Sequence, residues 1–81
     1  MSATAMLKEA IQARKFRKME KAGQFDQKVR EIQNLLGRFP LAKISEIQMH
    51  LIAKLAGEAA AIQDEYLRLE REIELAEREL T

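Results

Sequence analysis

From Phe39 to Leu80 the apolar positions fall into a seven-residue repeat. Leu55, Ala59, Ile62, Tyr66, Leu69, Ile73, Ala76 and Leu80 recur at alternating spacings of four and three without a slip. That is the a/d pattern of a helix that lies along another helix. Leu41, Ile44, Gln48 and Ile52 lead into the same register, so the pattern predicts a helix over about 41–80. Ser45 and Gln48 have capping-box spacing, but the periodicity around them places both inside the helix.

Upstream, Phe25, Val29, Ile32 and Leu36 form a second helical stripe with Leu35 beside it, and the stripe runs back through Ala22 toward Ile11 and Leu7. A helix over about 4–36 follows, with Ser2 or Thr4 as N-cap. Gly23 costs such a helix only about 1 kcal/mol against Ala, so a continuous helix is preferred to a break capped by Asp26. Gly37 followed by Pro40 is a stop-and-restart signal, which sets a turn over 37–40. Phe39 is expected to plug the open end beside it.

Two long helices joined by a short turn pack as an antiparallel hairpin. The fold class is therefore all-α, with a single helical-hairpin domain spanning residues 1–81. With the reversal at 38–39, facing residue numbers should total about 77. That register sets Ala22 against Leu55 and Ile11 against Tyr66. It also sets the basic segment at 14–21 against the small tract Gly57-Glu58-Ala59-Ala60-Ala61. One seam in an 81-residue chain without cysteine is a thin core. Leu35, Met49, Leu67 and Leu75 also need cover, so pairing of two hairpins into a four-helix bundle is expected. The seam residues assigned to assembly are Leu55, Ala59, Ile62, Tyr66, Leu69, Ile73 and Leu80.

Charge changes the picture more than composition does. The formal net charge is only +1. Through Lys43, however, ten Lys/Arg stand against four Asp/Glu, and from Ile44 onward four stand against nine. Arg14, Arg17, Lys18 and Lys21 form one helical stripe. Together with Lys15, Phe16 and Met19 they make up a candidate partner-binding patch. Three occupants of that patch follow from its chemistry. They are the acidic second helix of the same chain or of a dimer partner, an acidic protein, and nucleic-acid phosphates. In the acidic helix, Asp64–Arg68 and Glu74–Arg78 have the favourable i, i+4 order.

Motifs for catalysis are missing. There is no phosphate loop, no dinucleotide fingerprint and no Ser-His-Asp set, and His50 is the single histidine. A bundle-type di-metal site would need a Glu-x-x-His pair. The expectation is a non-enzymatic protein–protein interaction module, such as an adaptor, assembly chaperone, regulator or structural subunit, with no cofactor or metal. A small nucleic-acid-associated regulator is the alternative. No apolar run approaches the roughly 18 residues of a membrane span, and no secretory leader pattern opens the chain. A cytoplasmic location is expected.

Overall fold

A computed structural model of the chain describes residues 2–37 and 43–81. Two long helices carry the fold: α1, Ala3–Leu36, and α2, Met49–Leu80. They pack side by side as a helical hairpin 62 Å long and 16 × 14 Å across. No strand occurs among the described residues.

Helix α1 begins as its sequence dictates. The Ser2 hydroxyl accepts the Ala5 N–H at 3.2 Å, satisfying one of the free donors of the first turn. The helix passes through Gly23 without interruption, and Asp26 does not cap a second helix. Its carboxylate instead accepts the Arg30 guanidinium one turn on, at 2.9 Å. The end comes at Gly37, where φ is +57° and the backbone N–H returns to the Gln33 carbonyl at 3.1 Å. Only glycine takes that backbone conformation without strain.

The second helix starts later than the periodicity predicts. Ile44–Glu46 form one 3-10 turn, Ile47 and Gln48 leave it in non-helical conformations, and α2 begins at Met49. Ser45 lies in the 3-10 turn and Gln48 is the N-cap residue, with no side-chain cap bond. The expected start near 41 is thereby corrected. Ile44 is not part of the seam either; it is 88% exposed. The Phe39 plug and the Pro40 restart lie outside the described residues.

The longer connection moves the register. Arg14–Glu72, Lys21–Glu65 and Lys28–Glu58 each total 86, and Lys18–Glu70 totals 88. The facing total is therefore close to 87, about ten residues from the value a tight turn predicts. Ile11 packs with Ile73 and Ala76, not Tyr66, and Leu7 covers that cluster. The 14–21 segment faces Glu65–Glu77, not the small tract at 57–61. Gly57 does not admit a neighbouring helix, since nothing lies within 4 Å of the position its Cβ would take.

On α2 the heptad positions from Ile52 to Ala76 face the seam. Ile52, Leu55, Ala59, Leu69, Ile73 and Ala76 are buried, and Ile62 and Tyr66 are half-buried. These side chains are covered by α1 of the same chain. The seam assigned to assembly is thus the internal seam of the hairpin, apart from Leu80, which is exposed. Ile11 is the one residue of α1 that is buried among the described residues.

Candidate functional site

The inner face of α1 explains that imbalance. Leu7, Ile11, Arg14, Lys18, Lys21, Phe25, Lys28, Ile32 and Leu35 recur at spacings of four and three over the helix length. This is a complete heptad seam in which four positions are cationic. In the observed register Arg14, Lys18, Lys21 and Lys28 lie opposite the apolar seam of α2. Their alkyl stems cover that seam while the charged ends run out to its edges. All four are half-buried, with 25–35% of the side chain exposed.

Each cation meets a glutamate beside the apolar seam of α2. On one flank Arg14 Nε reaches Glu72 at 3.2 Å, Lys21 Nζ reaches Glu65 at 2.7 Å and Lys28 Nζ reaches Glu58 at 2.8 Å. On the other flank Lys18 Nζ reaches Glu70 at 3.1 Å and Lys15 Nζ reaches Glu77 at 3.7 Å. Lys18 also sits over the Tyr66 ring, 5.1 Å from its centroid, in cation–π range. Arg68 turns toward Glu72 at 4.0 Å; among the described residues neither Asp64–Arg68 nor Glu74–Arg78 forms an ion pair.

Titration follows these contacts. The Lys28 ammonium holds the Glu58 carboxyl below its ordinary range, and Lys21 does the same to Glu65. Reciprocally, the hydrogen bond to Glu58 raises Lys28. Glu70, aided by Tyr66, raises Lys18.

The basic patch therefore divides. Arg14, Lys15, Lys18 and Lys21 face α2 and are paired. Phe16 and Met19 point away and are 64% and 73% exposed. Arg17 makes no ion pair among the described residues. The structure does not assemble these seven residues into one surface. The sequence did carry a signal for the pairing. Arg14, Lys21 and Lys28 recur every seven residues, as do Glu58, Glu65 and Glu72 in the opposite direction along the antiparallel partner.

The two flanks of the hairpin differ in charge. The flank bearing Glu58, Glu65 and Glu72 also carries Arg17, Glu20, Glu31, Lys54 and Arg68 by heptad position, and its exposed Met6, Leu51 and Leu75 are set among those charges. The opposite flank carries Met19, Ala22, Val29, Ala56, Ala60 and Leu67 over its middle, interrupted by the polar Asp26, Gln33 and Gln63. Three openings are strung along it. One of about 670 Å³ lies between Met19, Ala22, Tyr66 and Ile73 and is edged by Lys15, Lys18, Glu70, Glu74 and Glu77. A second, of about 230 Å³, is framed by Ala22, Phe25, Gln63, Tyr66 and Leu67. The third, of about 260 Å³, lies toward the far end, by Lys8, Ile11 and Leu80.

Nothing in this arrangement converges as a reaction centre. His50 is exposed in the first turn of α2. No group of three or more metal-binding side chains stands together among the described residues, and none of their helices is long and apolar enough to cross a membrane. No protein-family model, curated protein or solved structure matches the chain.

Proposed function

We propose that this chain is a non-enzymatic helical interaction module that binds a protein through its apolar flank. The supporting observation is surface left uncovered. A compact 9.3 kDa protein exposes about 5,000 Å², whereas this hairpin exposes 6534 Å². The excess, roughly 1,500 Å², is nearly twice one partner's share of a standard interface, about 800 Å². That excess belongs to the whole elongated rod, and on one flank of it the exposed Met19, Leu36, Met49 and Leu67 fit a binding surface. The role is adaptor, regulator or structural subunit in a cytoplasmic assembly, with no cofactor.

This reading relocates the contact surface. The heptad face and most of the basic patch are engaged within the chain, so binding passes to the flank beside them. The same pairing weighs against nucleic-acid binding through Arg14, Lys15, Lys18 and Lys21. A phosphate there would have to displace a glutamate from each.

The test is affinity capture from host cells with three baits: the native chain, Ala60→Arg on the apolar flank, and Ala61→Arg on the charged one. Both positions are exposed on α2, so neither change disturbs the seam. Species held by the native chain and by Ala61→Arg, but lost from Ala60→Arg, support the proposal. Identical capture by all three contradicts it.

A further inference from the structure

The flank has a pattern that selects its occupant. We infer that it is covered by a second copy of this chain, related by a two-fold axis running along the length of the hairpin, so that the two copies form a four-helix bundle. This rests on the interaction-module reading above and names its partner.

The argument is self-complementarity at constant height. A two-fold axis along the hairpin keeps every residue at its own height and sets α1 of one protomer against α2 of its partner. The register near 87 then states what meets what. Lys8 and Lys15 of α1 come level with the partner's Glu77, Glu74 and Glu70. Met19 comes level with the partner's Leu67, Val29 with the partner's Ala56 and Ala60, and Leu36 with the partner's Met49. Cations meet carboxylates at one end, and Met19, Val29 and Leu36 meet small or apolar residues along the rest, where Asp26, Gln33 and Gln63 are the polar positions of the same flank.

Several of these residues lack a sufficient partner within one chain. Met19, Leu67 and Met49 are 73%, 48% and 57% exposed. Lys8 and Glu74 make no ion pair among the described residues. Lys15–Glu77, at 3.7 Å, is the longest of the five contacts between the helices. Neighbouring helices in such a bundle all run antiparallel, which also opposes their dipoles favourably.

The competing two-fold arrangement does not share these properties. An axis across the hairpin would flip one copy end for end. Lys8 and Lys15 would then lie against the apolar stretch that includes Val29 and Leu36, burying unpaired charge.

The test uses the purified chain alone. Sedimentation equilibrium should give twice the 9.3 kDa chain mass. Ala60→Arg enters an isologous interface twice. It should weaken the dimer by about 100-fold or more while helical circular dichroism is kept. Ala61→Arg should leave the dimer intact. Because the chain has no cysteine, the axis can be read from a mixture of Met19→Cys and Leu67→Cys proteins. Oxidation should link the two variants to each other. A native mass of 9.3 kDa at all concentrations overturns the inference, as does dimerisation indifferent to Ala60→Arg. Self-linked Met19→Cys as the main product overturns the axis. A monomer whose cellular captures still depend on Ala60 removes the second copy and leaves the interaction-module reading standing.

Discussion

Ile11→Ala and Phe16→Ala should rank opposite to their size. Ile11 is 4% exposed and sits with Ile73, Ala76 and Leu7, whereas Phe16 is 64% exposed on the outer face of α1. Removing three carbon groups from Ile11 at about 0.8 kcal/mol each gives about 2.4 kcal/mol. A cavity in a closed core would add to this, but two helices meeting along one seam can close over the loss. The lower part of the usual ~2–5 kcal/mol range therefore applies. For a chain of this size that corresponds to a fall in Tm of roughly 10–20 °C. Phe16→Ala should stay within about 0.5 kcal/mol. The assay is thermal and urea unfolding followed by circular dichroism. Protein concentration must be held fixed, because self-association makes Tm concentration-dependent. A loss for Phe16→Ala equal to that for Ile11→Ala would refute the assignment of inner and outer faces.

Further expectations follow from the ion pairs and the glycines. Lys21→Glu and Glu65→Lys should each lower Tm, and the doubly swapped chain should recover most of the loss; additive losses would contradict the 2.7 Å pair. Because Glu58 and Glu65 titrate below their ordinary 4.5, their contribution is full above that value and fades as pH falls through the lowered one. Lys18 and Lys28 titrate above 10.5, so their contribution is full below that value and fades as pH rises past the raised one. Stability against pH should thus form a plateau with losses at both ends, and unfolding scans across pH would expose a flat profile that contradicts this. Gly23→Ala, with nothing within 4 Å of the added methyl, should stabilise by about 1 kcal/mol. Gly37→Ala, at positive φ, should destabilise by about 1–2 kcal/mol; chemical denaturation separates the two signs. A mobility-shift titration of duplex DNA at low salt should show no binding by the native chain; a salt-sensitive shift lost in Arg14→Gln/Lys18→Gln/Lys21→Gln would restore the phosphate reading.

Where side-chain chemistry and burial agree, the fold was legible. Every seam position of α2 is apolar, so its heptad could be read directly, and Gly37 ended α1 as glycine chemistry requires. The inner face of α1 was legible only in part, because Arg14, Lys18, Lys21 and Lys28 occupy seam positions. A hydrophobic pattern discards them, although their stems do the covering. Ala22, Val29 and Leu36 then mimic a seam one position over, on what is the flank. The register was not legible from the hydrophobic pattern. Helix formers run through 43–48, and nothing local marks the 3-10 turn at Ile44–Glu46 that delays α2. The charges narrow the choice without making it. Sliding by one heptad would re-pair Lys21 with Glu72 and Lys28 with Glu65, so ion pairs fix the register only to a multiple of seven. The length of the connection selects among those registers.

The central claim is that Arg14, Lys18, Lys21 and Lys28 belong to the inner seam of their own hairpin, each paired with a glutamate of α2. Zero-length carbodiimide coupling joins an amine to a carboxylate only where the two are in contact, and peptide mapping of the coupled native chain reads the pairs. A mixture of light and heavy isotope-labelled protein separates links within a chain from links between chains. The account predicts Lys21–Glu65, Lys28–Glu58 and Lys18–Glu70 as the dominant products, each within one chain. Dominant links in another register, such as Lys21–Glu58, or the same three links formed between light and heavy chains, would contradict it.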